Sequence, residues 1–340
     1  MTSSGVSTRR RNTNTASDRV RPYHRSDRRF DAGRRSDRFG RPGGGFFQIV
    51  GHGLDPAVEQ AAWEAARAFF ALPLADKLAV TIPSGDAYGY GPYRVERLAA
   101  SLGVDTPPDL KETYSVGPSD EVCAAEIRAD PAAAFVFSGT PWPSALPVLE
   151  PTLRAYYDDL ARLVERLMGL MAVGLGLDAD HFVPHIDRHT SALRLLHYPD
   201  LAGVDPEPGQ LRAGAHSDYG TLTLLRQSGP GLQVVGVDGG WYDVPVVEGA
   251  YVVNIGDALE RWTNDRWRST VHRVVIPDDG APGSRQSVAF FHNANWDAVI
   301  ESVVQGEMPR HSPITAGRHL MEKFQGTQAA VVNRSRHRRW

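Results

Sequence analysis

The chain has 340 residues, 41% of them hydrophobic and 23% charged, with a net charge of −3; it can bury a substantial core and shows no overall electrostatic pull toward nucleic acid or membrane. Its one cysteine, Cys123, excludes an intrachain disulfide and any single-chain zinc or iron–sulfur site built on cysteine. No apolar run approaches the roughly 18 residues of a membrane span, and no signal-peptide core is visible, which predicts a cytoplasmic protein that neither spans membranes nor is exported.

Near-neutrality hides an asymmetry. Residues 1–44 are dense in arginine and nearly free of aliphatic side chains, and Ser-Asp-Arg recurs at Ser17, Ser26 and Ser36. Such a segment cannot bury enough apolar surface to offset its ordering entropy, so a disordered, solvated arm is expected rather than a nucleic-acid-binding one. The basic run Asn333–Trp340 is read the same way. Patterned sequence begins at Gly45, where Phe46 to Val50 read as a short strand closed by Gly51-His52-Gly53. Asp55 then caps a helix with Val58, Ala62, Ala65 and Phe69 on one face. A longer helix is predicted from Pro147 to Leu175, its leucines stepping by three or four from Leu149 to Leu170, with Gly174 and Gly176 as stop signals.

From about Ser191 the pattern changes to short β-type runs: Leu193–Tyr198, Thr221–Arg226, Leu232–Val235, Tyr251–Ile255, Thr270–Ile276 and Gln286–His292. Many short strands broken by glycine, proline and aspartate predict an antiparallel sandwich or barrel. The expected architecture is α+β, a jelly-roll (double-stranded β-helix) core flanked by N-terminal helices. Its expected divisions are 1–44, a helical region 45–185, a jelly-roll 186–300 and a C-terminal helix and basic tail 301–340.

The sharpest chemical feature is Ala215-His216-Ser217-Asp218-Tyr219. In an extended chain, side chains two apart share a face, so an imidazole and a carboxylate point the same way. His272, inside a later β-type run, supplies a second imidazole. Two histidines and one carboxylate make a facial metal triad suited to iron(II), with coordination positions left open. Arg285 and Ser287 share a face by the same period, and a guanidinium fork beside a hydroxyl suits a bidentate carboxylate. Phe291, farther along that face, and Tyr90, in the aromatic run Tyr88 to Tyr93, are candidate substrate-pocket residues.

In this order and spacing the motifs resemble the isopenicillin N synthase-like branch of the iron(II)/2-oxoglutarate oxygenases, from Gly45 to about Ile300. Leu110 to Tyr114, Leu193 to Pro199 and Val253 to Asp257 are also similar to that family. The resemblance implies iron(II) on His216, Asp218 and His272, with 2-oxoglutarate as co-substrate and O2 as oxidant. It places the distal carboxylate on Arg285 and Ser287, and a small organic molecule is hydroxylated, desaturated or cyclised. Two departures stand out. Leu196 occupies the asparagine position of an Asn-x-Tyr motif, leaving Tyr198 as a carboxylate partner. The arginine-rich segment stands where the family has an opening strand and helix, so residues 1–44 are expected to lie outside the native fold. An oxidase that binds the substrate's own carboxylate without 2-oxoglutarate, and an inactive barrel serving as a binding module, are the alternative readings. A monomer is expected.

Other histidines have plainer readings. His181, His185 and His189 are four apart, but Pro184 interrupts them and no helical apolar period surrounds them. His52 is read as a turn residue, His197 and His292 as outward-facing, and Asn254 and Asp257 as turn formers.

Overall fold

The computed structural model describes residues 45–83, 85–277 and 283–324. The expectations for residues 1–44 and for Asn333–Trp340 fall outside them. The elements run in the order β1 (Phe46–Ile49), α1 (Pro56–Phe70), α2 (Leu74–Leu78), β2 (Gly89–Gly91), β3 (Glu112–Val116), α3 (Asp120–Ala129), α4 (Leu149–Gly174), α5 (Val183–Ile186) and β4 (Ala192–Tyr198). There follow β5 (Ala213–His216), β6 (Leu222–Gln227), β7 (Leu232–Val235), β8 (Trp241–Asp243), β9 (Tyr251–Ile255), α6 (Asp257–Trp262), β10 (His272–Val274), β11 (Arg285–His292), β12 (Val299–Ile300) and β13 (Ile314–Thr315). Residues 316–324 are helical.

The two long helices form where the apolar period placed them. Asp55 caps α1 by accepting from the amide of Ala57 at 2.8 Å, and Pro56 supplies a pre-set first turn. α4 buries Leu153, Tyr156, Leu160, Leu163 and Leu167 on one face. Both helices pack on a seven-stranded sheet of order β1-β9-β6-β11-β4-β3-β2, its strands paired antiparallel. Strand alternation gives this sheet two apolar faces. Leu193, Leu195, Leu224, Val253, Val288 and Phe290 point into the main core with α1 and α4. Phe46, Leu196, Tyr198, Val252 and Ala289 point the other way, toward Ala213, Leu232, Val234 and Val274 of a four-stranded sheet, β5-β10-β7-β8.

These two sheets are the expected jelly-roll. Strands β1, β2 and β3, which precede β4 in the chain, belong to the large sheet, so the region before β4 contributes strands as well as helices. Among the described residues no helix is long and apolar enough to cross a membrane.

Candidate active site

Between the sheets lies a cavity of about 510 Å³ whose walls include Asp218, His272, Asn254, Arg285, Ser287 and Phe291. His216 is the last residue of β5 and His272 the first of β10, and the two are direct antiparallel partners. Their rings therefore lie side by side, with centroids 4.3 Å apart. Asp218 does not reach them as the sequence suggested. It sits beyond the end of β5, in an unpaired segment, so strand alternation is not what aims it.

Backbone contacts aim it instead. The amide of Asp257 donates to the carbonyl of Asp218 at 2.8 Å, and the amide of Gly256 to that of Thr221 at 2.8 Å. This crossing needs two glycines: a Cβ on Gly256 would lie 2.3 Å from the carbonyl oxygen of Gly220, and one on Gly220 would lie 2.1 Å from that of His292. The short turn joining β9 to α6 thus clamps the segment carrying Asp218.

One ligand atom from each of His216, Asp218 and His272 lies within 4.8 Å of the others. Nδ1 of His216 donates to the carbonyl of Gly214 at 2.8 Å, and Nδ1 of His272 to that of Thr270 at 3.1 Å. A carbonyl can only accept, so both rings carry the proton on Nδ1 and turn a bare Nε2 inward. Each Nε2 is 3.8 Å from Oδ1 of Asp218. The other oxygen, Oδ2, accepts from Thr223 Oγ1 at 2.6 Å and from Asn254 Nδ2 at 2.6 Å. Two imidazole nitrogens and one carboxylate oxygen thus face a single point with their remaining atoms already bonded, a donor set that fits iron(II). Burial, with the neighbouring His272, holds His216 neutral far below the usual imidazole range. Burial also opposes a charge on Asp218, but the two imidazoles and the bonds from Thr223 and Asn254 outweigh it and keep its pKa below that of an ordinary carboxyl.

At the other end of the same face, Arg285 is 3% exposed. Its guanidinium donates through Nε to the carbonyl of Gly229 at 3.2 Å, through Nη2 to Gln227 at 2.7 Å and through Nη1 to Ser287 at 3.3 Å. It also lies 4.9 Å from the centre of the Tyr198 ring. Burial lowers its pKa, although guanidinium remains charged at neutral pH. Tyr198 pairs with Arg285, and Leu196 with Ser287, across β4 and β11. The arrangement is a desolvated cation with a hydroxyl and a phenol beside it, held at the end of a cavity that leads to the triad.

Phe291 lines the cavity as expected. Tyr90 does not. It is 1% exposed in the main core, packs against Phe69 and donates to Glu112 at 2.6 Å, while its neighbour two positions earlier, Tyr88, reaches the cavity wall. Asn254 is a strand residue bonded to the carboxylate of Asp218, not a turn former. His197 and His292 do turn away from the cavity, but toward protein rather than water: His197 stacks on Phe70 and bonds Glu112, and His292 is 1% exposed. His181, His185 and His189 form no ligand cluster, since the triad is the metal-capable group found among the described residues. Leu320 and Phe324, from the helical stretch 316–324, also line the cavity and had no motif to mark them.

Residues 189–294 match the 2OG-Fe(II) oxygenase superfamily, and residues 43–144 match the N-terminal region described as non-haem dioxygenase in morphine synthesis. The chain is 34% identical over 286 residues to a 2-oxoglutarate-Fe(II) type oxidoreductase of Emericella nidulans, covering 80% of this chain and 78% of the relative. The chain belongs to the 2-oxoglutarate/iron(II) oxygenases. The validamycin A dioxygenase of Streptomyces hygroscopicus subsp. limoneus is 33% identical, covering 80% of this chain and 73% of that one. A full-length Neurospora crassa protein, solved in complex with alpha-KG and thymine, superposes with a TM-score of 0.70 at 31% identity, covering 83% of this chain and 87% of that one. The oxygenase is of the isopenicillin N synthase-like type. It is an enzyme that uses iron(II), 2-oxoglutarate and O2 to oxidise a small organic substrate. The oxidase without 2-oxoglutarate and the inactive barrel are thereby set aside.

Proposed function

We propose that His216, Asp218 and His272 hold the iron of this oxygenase, and that Arg285, Ser287 and Tyr198 receive the distal carboxylate of 2-oxoglutarate. The observation that carries this is the convergence of two bare Nε2 atoms and one free carboxylate oxygen, in a cavity whose far end holds a desolvated arginine. Iron and 2-oxoglutarate supply O2-dependent oxidation of the substrate, with release of succinate and carbon dioxide. The chain's own part is positional. Thr223 and Asn254 fix the carboxylate, the carbonyls of Gly214 and Thr270 fix the imidazole tautomers, and Gln227 and Gly229 hold the guanidinium toward the cavity. Leu196, where the family pattern has asparagine, gives an apolar wall, so Arg285, Ser287 and Tyr198 carry the co-substrate's recognition. Phe291 is read as a substrate contact. A cytoplasmic monomer is part of the same reading: the lone thiol of Cys123 is buried, and a reducing compartment keeps iron in the ferrous state.

Anaerobic titration tests the assignment. Iron(II) followed by 2-oxoglutarate should produce the weak visible charge-transfer band of a chelated keto acid. Asp218→Ala and His272→Ala should lose it. Arg285→Ala should keep the band but raise the 2-oxoglutarate concentration needed by roughly 30- to several-thousand-fold, the equivalent of about 2–5 kcal/mol. Arg285→Lys should recover part of this, because an ammonium lacks the planar fork. An unaltered band in Asp218→Ala would overturn the metal assignment, and an unaltered half-saturation in Arg285→Ala would overturn the carboxylate assignment.

A further inference from the structure

One wall of the cavity and the segment that carries Asp218 touch the same helix. In the helical stretch 316–324, residues four apart are neighbours, so His319 and Lys323 form one row on its surface and Leu320 and Phe324 the adjacent row. Leu320 and Phe324 line the cavity. Phe324 meets the rings of Tyr219 and Phe135 edge-on, with centroids 5.6 and 5.1 Å away. His319 and Lys323 turn instead to the metal segment. The buried ring of His319 is hydrogen-bonded to the backbone of Tyr219, and Nζ of Lys323 lies 2.6 Å from Oδ2 of Asp257.

Through Asp257 this contact reaches the metal ligand. Asp257 is the first residue of α6, and its amide donates to the carbonyl of Asp218 at 2.8 Å. Its Oδ2 also accepts from Ser217 Oγ at 3.2 Å, and the amide of Ala258 donates to the carbonyl of Tyr219 at 3.2 Å. Ser217, Asp218 and Tyr219 are thus each bonded to the start of α6. Lys323 holds the side chain of the residue whose backbone holds Asp218.

Burial gives the ion pair its leverage. The side chain of Asp257 is 10% exposed and that of Lys323 41%. A carboxylate so far from water carries its charge at a cost that the ammonium and the Ser217 hydroxyl offset. Without the ammonium, the start of α6 gains by moving Asp257 toward water, and its bond to the carbonyl of Asp218 is disturbed. The beginning of the helix is held independently, because the amide of Ala316 donates to the carbonyl of Ala298 and that of Gly317 to the carbonyl of Trp296, both at 2.8 Å. Loss of Lys323 therefore frees the stretch around Phe324 rather than the helix as a whole.

Resting on the iron assignment above, we propose that Lys323 is a positioning residue: through Asp257 it couples docking of the cavity-lining helix to the iron-binding position of Asp218. Such coupling is reciprocal, so whatever factor the docked helix adds to iron affinity, bound iron adds to the docking of the helix. The wall formed by Leu320 and Phe324 is then firmest in metal-loaded protein, and substrate meets a set wall only after iron has bound.

Two measurements on wild type, Lys323→Met and Lys323→Arg test this: anaerobic equilibrium dialysis with iron(II), and hydrogen exchange of the backbone amides of 316–324 with and without iron(II). Lys323→Met should weaken iron binding by about three- to tenfold, less than the loss of a group bonded directly to a ligand side chain. Lys323→Arg keeps the charge and should recover most of the affinity. Saturating iron should slow exchange in 316–324 of the wild type by a similar factor, and should leave exchange in Lys323→Met nearly unchanged. A lysine that merely anchors the helix would quicken exchange equally with and without metal and leave iron affinity as it was. That result overturns the coupling, and an equal loss of affinity in Lys323→Met and Lys323→Arg overturns the role of the charge. Should Lys323→Met fail to fold, the wild type still decides, because exchange in 316–324 that bound iron does not slow also overturns the coupling. Wild-type protein that binds no iron would instead count against the metal assignment, so the two failures are told apart.

Discussion

Asp218 divides its two oxygens between two tasks. Oδ1 faces the imidazoles, and Oδ2 is bonded to Thr223 and Asn254. Removing the amide of Asn254 leaves Thr223 to orient the carboxylate alone and strips a donor from a buried charge. Asn254→Ala should therefore lower iron affinity by roughly 10- to 100-fold with little change in half-saturation for 2-oxoglutarate at saturating iron, as loss of a bond behind a metal ligand does. Equilibrium dialysis with iron(II) checks this, and unchanged affinity would show that Thr223 suffices. Arg285-x-Ser287 was legible as sequence because it is a pair of functional groups at strand period, and the triad because His216, Asp218 and His272 stand in a recognisable order, although a turn rather than the strand aims Asp218. Asn254 was not, because asparagine more often marks a turn. The signal was its place inside Tyr-Val-Val-Asn-Ile, where an amide in an apolar strand needs a buried partner. Tyr90 failed for the complementary reason. Tyr88 and Tyr90 share an aromatic run, and nothing in the sequence showed which one the sheet would cover.

At the scale of elements, β11 has two faces with different duties. Phe290 is fully buried against the helical layer, with its ring edge on Tyr157 at a centroid distance of 5.0 Å, whereas Phe291 borders the cavity. Phe290→Ala should cost about 3–5 kcal/mol of stability and leave the iron and 2-oxoglutarate affinities of the folded protein nearly unchanged. Phe291→Ala removes a ring beside existing empty space, so its melting temperature should stay close to wild type while substrate affinity falls. Thermal melts and binding titrations of the pair would separate the two faces, and equal stability losses would contradict this reading of the strand. The central strands were legible because one face of each is apolar throughout: β7 and β9 span the residues that their β-type runs predicted. The membership of β1, β2 and β3 in the same sheet was not legible. Pairing such as Phe46 with Asn254 joins segments some two hundred positions apart, and local periodicity carries no information about distant partners. The turn that aims Asp218 was not legible for a related reason, since it depends on the close approach of Gly220 and Gly256, which lie far apart in the chain.

Across the whole molecule, burial acts on histidine in one direction. His185, His189, His216, His292 and His319 are all lowered from the usual value of 6.5, with desolvation the largest cause in each. His189 is brought to about 4. It lies between α5 and β4 with its ring 5.1 Å from that of His292, so each would also repel a charge on the other. An unfolded chain takes up these protons near pH 6.5, while the folded chain refuses them until lower pH. Between those limits the unfolded state binds more protons, so stability must fall as pH drops from about 6.5 toward 4 and rise again on return. The lowered carboxyls, Asp218, Glu96 and Glu112, act below that window: their folded values lie under 3.8–4.5, and their contribution is lost as pH falls through them. From pH 6.5 to 5 the lowered carboxyls are silent, and the buried histidines work against Glu260, whose pKa burial raises. His189 and His292 alone should make unfolding take up about one proton at pH 6.5, rising to about two near pH 5, where the loss approaches roughly 3 kcal/mol per pH unit, with His216 adding to it when no metal is bound. Denaturant unfolding at equal iron loading, repeated across this interval, gives the proton count from its slope. The doubly substituted His189→Asn, His292→Asn protein should be less steep by that proton count, about one at pH 6.5 and about two near pH 5. A wild-type slope near zero, or one the double substitution leaves unchanged, would show that these buried rings do not set the acid limit of the fold.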